Sequence, residues 1–578
     1  MLLDDARIDG EPARLYRRPV EVVATSDVGE VRPALARVRA GVGRGLHAAG
    51  FLAYEAAAAF EPSLIAAPCP TPLLWFGLFE GWKAVDAAAC LPGPAGAHVL
   101  APVPSITRDA YDERFAAVQA LIAAGDLYQA NLTFPAVVPF LGDPLALYAA
   151  VRARAAAGWS GIVATGMDLV LSFSPELFFS IERGAITCRP MKGTARRGAT
   201  AAEDDAAARA LAGDGKQRAE NLMIVDLLRN DLSRIAQPGS VEVPELFTVE
   251  RYPTVLQMTS TVTARLAEGC DAVDLLAAAF PCGSITGAPK LRAIDALAGI
   301  ERAPRGAYTG SIGRFDPDGS AAFNVAIRTL TVRDGQATMG LGGGIVADSR
   351  ADDEWDEALT KGAFLTAGQR GVDLIETMRF DPLDGVLLLE RHLARMKTSA
   401  DMLGLRFDRH GARNELQAAT FRLREAKRVR LLLARSGAIA IEVAPLPTPV
   451  ARMEVALVPL PVSPRDFRLR HKTGDRGFYD AARARAGTAE VVFEDVDGFL
   501  TEGSFTSIFV ERGGLLVTPP LIRGLLPGVF RAELIETGRA REGELTRADL
   551  AGGFLVGNAL RGLVPAIVAV ANATIAPL

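Results

Sequence analysis

"GLGGGIVADSRADDEWDEALTK", residues Gly340 to Lys361, joins the end of a glycine-rich apolar strand to a polar loop and a charged helix. In the helix, Glu354, Glu357 and Lys361 fall at i, i+3 and i+7 and project from one face. Two carboxylates at that spacing repel unless a cation lies between them, although the pattern alone also fits a solvated acidic face with a Glu357 to Lys361 ion pair. A third carboxylate, Glu220, opens the Leu-rich helix "RAENLMIVDLLRNDLSRIA" beside Asn221. Three hard oxygen donors without His or Cys suit Mg²⁺, which keeps waters and shares its shell with an anionic substrate.

The bulk of the chain narrows the chemistry. Its 578 residues, 49% hydrophobic, are enough for several cores and predict a multidomain globular protein. The net charge of -5 and the lack of a Lys/Arg block give no general attraction to nucleic acid. "MLLDDARIDGEP" at the start lacks the basic residues and apolar run of a signal peptide, and no apolar stretch approaches about 18 residues. No membrane span and a cytoplasmic location are expected. The 5 cysteines show no CxxC spacing and read as small buried residues. Between His98 and His392 there is no histidine, so any chemistry there runs on carboxylates, lysine, hydroxyls or a metal.

Alternation from Met167 to Arg189 predicts a β-hairpin turning at Arg183-Gly184. Leu222, Val225, Leu228 and Leu232 recur at helical spacing. The pattern restarts near Gln369–Gly371, which places domains at 1–365 and 372–578, the second divided into 372–445 and 446–578.

The blocks "GDLYQANLT", "SPELFF", "RPMKGTARRG", "AENLMIVDLLRNDLSRI", "FPCGSITGAPK", "RGAYTGSIG" and "NVAIRTL" precede the opening stretch in the order found in chorismate-utilising enzymes. Residues from Ala110 to Lys361 resemble that family, most of all its aminodeoxychorismate synthases. The resemblance implies an α/β (α+β) fold in which two antiparallel sheets pack together with helices outside. It implies Mg²⁺ on Glu220, Glu354 and Glu357, Arg328 and Lys361 facing substrate carboxylates, and a pocket lined by Gln129, Thr286, Tyr308 and Gly343. Gln129 stands where relatives that add water carry a lysine base, which favours amination. Lys192 stands where anthranilate synthases carry alanine. By likeness it is a nucleophile that attacks the ring, the 4-hydroxyl leaves with help from an acid, and ammonia then displaces the lysine at C4. Glu176 is the matching acid/base. Gln257 replaces a His found in some relatives, and "GSITGAPK" fails the phosphate-loop pattern because Pro289 precedes its lysine. No Cys/His glutaminase signature is visible, so a separate glutamine amidotransferase subunit is the expected ammonia source.

After Val372 the segments "ERHLARMKTSADMLG", "RHKTGDRGFYDAA", "DVDGFLTEGSFTSIFV", "LIRGLLPGVFRAEL" and "FLVGNALRGLVP" offer a lysine, an acid and a helix N-terminus, the three things pyridoxal 5'-phosphate requires. This region resembles the fold-type IV pyridoxal-phosphate enzymes, and among them the 4-amino-4-deoxychorismate lyases. The likeness implies two α/β subdomains and a homodimer through this domain. It makes Lys472 the Schiff-base lysine and proton carrier and pairs Glu502 with the pyridine nitrogen. The phosphate falls to Arg395 and the amides of Val529 and Phe530, joined by Asn558 and Ala559. Phe530 replaces a common Thr, which removes a hydroxyl contact but leaves the amide. The expected activity is two-step p-aminobenzoate synthesis for folate. The alternatives are a fold-type IV aminotransferase in place of the lyase, and an anthranilate-type synthase with a non-catalytic C-terminal module.

Overall fold

The strand Leu74–Phe79, LWFGLF, is apolar along its length because both of its faces are covered. Leu74, Phe76 and Leu78 enter a core shared with Val31 and Leu35 of the helix Val28–Gly43 and with Val225 and Leu228 of the helix Gly215–Ser233. The intervening Trp75 packs instead with Phe51, Ile312, Val163 and Val170. Val163 and Val170 belong to a different sheet, so this second core is the seam between two sheets.

The computed structural model describes residues 1–252 and 255–569, and the chain divides into two units. The first comprises Met1–Leu91, Ala101–Phe140 and Tyr148–Gly368. The second runs from Gln369 onward and includes Pro92–Leu100 and Leu141–Leu147, two segments that the sequence reading places within 1–365.

The first unit carries two 10-stranded sheets. Near one end of the first sheet Gln129–Val138 pairs with Gln336–Ile345, antiparallel, with Asn131 opposite Gly344. The second sheet ends on Met191–Arg196, paired with Val255–Arg265. The turn expected at Arg183-Gly184 is present: both residues have positive φ, 50° and 75°, and Ala185 pairs with Glu182. The hairpin is shorter than the sequence suggests. Leu169–Ser174 pairs within the first sheet and Leu177–Glu182 within the second, so Ser174, Pro175 and Glu176 carry the chain from one sheet to the other. The helix Gly215–Ser233 is also rotated from its expected face. Asn221, Ile224, Val225, Leu228 and Leu232 are buried, whereas Leu222 is 43% exposed. Asn221 takes the inward place because its Oδ1 accepts a 2.6 Å hydrogen bond from Ser260 Oγ.

In the second unit, strands between Leu374 and Pro445 form a 4-stranded antiparallel sheet backed by the helices Leu389–Met402 and Arg409–Thr420. An 8-stranded mixed sheet follows, in which Met453–Pro459 runs parallel to both of its neighbours. Among the described residues no helix is long and apolar enough to cross a membrane.

Candidate active sites

In the first unit, residues from both sheets converge on Gly344. A Cβ there would overlap Gln129 Nε2 and would lie 3.5 Å from Lys192 Nζ. Glycine leaves this backbone open to the approach of two side chains from different sheets. Gly344→Ala is expected to leave the fold intact, displace Gln129 and lower turnover by about a hundredfold. Circular dichroism beside a steady-state assay checks it.

Burial and the nearby Lys361 charge lower the Lys192 pKa, opposed by Glu220, Glu176 and Glu357. The lysine is steadied from behind: Gln257 accepts from Thr194 Oγ1 at 3.0 Å and donates to Gly193 O at 2.8 Å, bracing the Lys192 strand. Glu176 sits at the crossing between the sheets, its carbonyl accepting from Val325 N at 3.1 Å. Burial lifts its carboxyl to about 7, opposed by a hydrogen bond from Ser284 and by the Lys192 charge. Glu176 Oε1 and Gln129 Oε1 are buried acceptors without a partner among the described residues, as expected of a polar site shaped for a ligand.

The Glu176 shift has a stability consequence. From its ordinary 4.5 up to about 7 the folded chain keeps a proton that the unfolded chain gives up, so stability falls as pH rises through that window. The fall is on the order of 3 kcal/mol at most. Glu176→Gln is expected to flatten that part of the curve, and urea midpoints at about pH 5 and about pH 8 read the difference.

Gly343 marks the charged side of the pocket. A Cβ there would lie 3.2 Å from both Glu354 Oε2 and Lys361 Nζ and 3.9 Å from Glu357 Oε1. Lys361 pairs with Glu357 at 2.8 Å and donates to Gly342 O at 3.0 Å, and Glu354 accepts from Ser349 Oγ at 2.6 Å. Burial raises the Glu220 and Glu354 carboxyls, and the like charge of Glu357 adds to both shifts. Among the described residues no group of three or more His, Cys, Asp or Glu is gathered closely enough to hold a metal ion. The expected Glu220, Glu354 and Glu357 shell is therefore not closed, and the cation beside Glu354 and Glu357 is Lys361. The donor chemistry still suits a hard divalent ion, since the half-buried Glu220 and Glu354 and the exposed Glu357 lie close enough for their charges to repel.

Arg328 is half-buried, with no hydrogen bond or ion pair for its guanidinium among the described residues; it lies 5.7 Å over the Phe364 ring, and burial lowers its pKa. It is a cation without an anion among the described residues. Two other expected pocket residues are placed differently. Thr286 is fully buried and its hydroxyl donates to Gly283 O at 3.1 Å, within its own turn. The Tyr308 ring lies against Gly340 rather than beside Gly343 and lines a separate cleft of about 80 Å³ with Glu301 and Thr329. Lys290 of "GSITGAPK" is structural, bonded to Asp231 at 2.7 Å and to Ala279 O at 3.0 Å.

The second unit encloses a cavity of about 460 Å³ whose lining includes Lys472, Glu502, Arg395 and Val529. Burial pulls the Lys472 amine down to about 7. Burial likewise lifts Glu502 to about 7, against hydrogen bonds from Tyr479 Oη at 2.6 Å and Leu526 N at 3.0 Å. The helix Val529–Glu536 begins after Gly528 with no side-chain cap, leaving its first amides open to the cavity. A Cβ on Gly528 would come 3.0 Å from Ser507 Oγ, so the approach to these amides stays clear. Arg395 is held by Glu376 through two hydrogen bonds of 2.8 and 2.6 Å and donates to Pro527 O at 3.0 Å. The Asn558 side chain is spent on its own turn and on Phe505 O, so it supports the wall, which Ala559 continues. An amine, a carboxyl and an open helix terminus around one cavity fit pyridoxal phosphate.

Sequence reasoning misses several residues here. Glu376 buttresses both Arg395 and His392, the latter through Nδ1 at 2.7 Å, and His392 Nε2 is buried without a partner among the described residues. Arg476 and Arg561 also line the cavity. Both stand inside motifs quoted for their neighbours, and cation count in those motifs is the signal that points to them.

A family model described as chorismate binding enzyme matches residues 8–367, and one described as amino-transferase class IV matches residues 373–567. Aminodeoxychorismate synthase component 1 of Klebsiella aerogenes is 44% identical over 257 residues, 44% of this chain and 57% of that protein. Anthranilate synthase component 1 of Streptomyces coelicolor is 41% identical over 268 residues, 46% of this chain and 52% of that protein. The chain thus spans about half the length of these relatives. The crystal structure of anthranilate synthase component I from Streptococcus pneumoniae is 26% identical, with a TM-score of 0.55, covering 62% of this chain and 93% of that one. With the first model matched across most of residues 1–368 and the two-sheet fold shared, the chain belongs to the chorismate binding enzyme family and continues into a class IV amino-transferase domain.

Proposed function

We propose that residues 1–365 aminate chorismate to 4-amino-4-deoxychorismate and that residues 372–578 eliminate pyruvate from it to give p-aminobenzoate. The observation that carries the first step is the approach of Lys192 to Gln129 and Gly344, in electrostatic range of the buried Glu176. In this reading the partly neutral Lys192 amine adds to the ring while the C4–O bond breaks, and Glu176 supplies the proton that lets the hydroxyl leave as water. Ammonia then adds at C4 as the bond to Lys192 breaks, and the Glu176 carboxylate takes back a proton. Arg328 and Lys361 hold the substrate carboxylates, and Glu220, Glu354 and Glu357 would hold Mg²⁺, with Lys361 turning from the glutamates to the substrate. Ammonia comes from a separate glutamine amidotransferase.

Pyridoxal phosphate, when bound, supplies an electron sink for the substrate carbon that bears the amine. Lys472 moves the proton at C4, Glu502 keeps the proton on the pyridine nitrogen, and the Val529 and Phe530 amides with Arg395 hold the phosphate. The test is the purified chain with chorismate, Mg²⁺ and ammonium, scored for p-aminobenzoate and pyruvate without an added keto acid. Product insensitive to a chelator refutes the metal role, and a requirement for a keto acid favours the aminotransferase.

A further inference from the structure

The second cavity is lined by more cations than acids, and most of those cations already have partners. Arg395 pairs with Glu376, Arg428 with Glu442 at 2.8 Å, Arg430 with the same Glu442 at 3.8 Å, Arg531 with Glu542 at 2.6 Å and Arg483 with Asp480. Arg476 and Arg561 have no carboxylate partner among the described residues. Arg476 precedes the helix Gly477–Ala486, donates to Ser504 O at 2.5 Å and lies 4.3 Å over the Tyr479 ring. Arg561 follows the Asn558 turn, lies 5.6 Å over the Phe505 ring and makes no side-chain hydrogen bond. The adjacent residues Ser504 and Phe505 thus hold both guanidiniums at the cavity wall.

We propose that Arg476 and Arg561 form a receptor for a ligand with two carboxylates, separate from the phosphate-binding amides of Val529 and Phe530. Two half-buried guanidiniums without a bonded carboxylate stand at the cavity wall, and each offers a planar fork that matches a carboxylate. The cofactor phosphate does not require them, because the open helix terminus and Arg395 serve that end. An amino acid with one carboxylate leaves one arginine unmatched. The substrate of the elimination proposed above carries a ring carboxylate and an enolpyruvyl carboxylate, so this inference rests on that reading for the identity of its ligand. Burial lowers the Arg561 pKa, opposed by the charge of Glu490, whose carboxylate is itself bonded by Ser504 Oγ and Thr506 Oγ1.

The experiment titrates the full chain, loaded with pyridoxal phosphate, with 3-(1-carboxyvinyloxy)benzoate, a ring dicarboxylate without an amine. The visible absorption of the cofactor is followed because it reports this cavity alone, and 3-methoxybenzoate is the single-carboxylate control. The dicarboxylate is expected to bind at least about thirtyfold more tightly than the control. Arg476→Gln and Arg561→Gln should each weaken dicarboxylate binding by at least about tenfold, with Arg561→Lys between wild type and glutamine. Affinity of the apo-protein for pyridoxal phosphate, read by fluorescence quenching, should stay within about threefold in each variant. Equal affinity for both probes, unchanged dicarboxylate affinity in both glutamine variants, or loss of cofactor affinity in both overturns the proposal. Tight dicarboxylate binding without pyruvate release from 4-amino-4-deoxychorismate overturns the elimination reading alone; pyruvate release without dicarboxylate preference overturns the receptor alone.

Discussion

Lys192→Arg is expected to lower formation of 4-amino-4-deoxychorismate from chorismate and ammonium by on the order of a thousandfold or more. Arginine keeps the positive charge but stays protonated, so it cannot act as the amine nucleophile. Lys192→Ala should fall as far, and it removes the crowding that a guanidinium might be blamed for beside Gly344. Chorismate binding should survive in both, because Arg328 and the Gly343 wall remain. The alanine variant should also retain some amination at C2, releasing anthranilate, since its relatives that make this product carry alanine there. Ammonium as the nitrogen source keeps the result independent of a glutaminase. Substantial activity in the arginine variant would remove Lys192 from the covalent role.

Lys472→Ala is expected to abolish p-aminobenzoate release from supplied 4-amino-4-deoxychorismate, a loss of at least about ten-thousandfold, and to change the visible spectrum of the bound cofactor. In the proposed reaction the amine that anchors the cofactor and the group that moves the C4 proton are the same atom, so one truncation removes both functions. With its amine near 7, Lys472 takes and gives protons close to neutrality. When chorismate is supplied to this variant, 4-amino-4-deoxychorismate should accumulate at the wild-type rate of the first step. Normal p-aminobenzoate release from it would end the assignment of the second domain.

The ordered motifs make the two-sheet fold legible in the sequence, and they single out Lys192, Glu176 and Gln129 as the residues to which the proposed reaction is assigned. The meeting of Lys192 and Gln129 at Gly344 is not legible there, because Gly344 has no side chain to signal a role and lies far along the chain from both. The hairpin misreading has a related cause. Alternation is the same in Leu169–Ser174 and Leu177–Glu182, and the choice between turning and crossing is made by their distant partners, Thr329–Arg333 and Ala321–Asn324. On the helix Gly215–Ser233 a hydropathy pattern favours Leu222, while the structure favours Asn221 because Ser260 offers it a hydrogen bond. In the second domain Lys472 and Glu502 stand in motifs and line one cavity, whereas Arg476 and Arg561 stand out only once the neighbouring arginines have found their carboxylates.

In the proposed reaction the crossing at Ser174–Glu176 ties proton delivery to mechanical integrity. Glu176, the proposed acid, is carried on a few residues between a strand of one sheet and a strand of the other, while Lys192 stands on the second sheet and Gln129 on the first. Slippage of one layer over the other therefore moves the proton donor, the amine and the amide relative to each other at once. Heat inactivation of the amination step should coincide with loss of packing around Trp75, and a sub-denaturing state that keeps its secondary structure but lets the layers slide should already be catalytically silent.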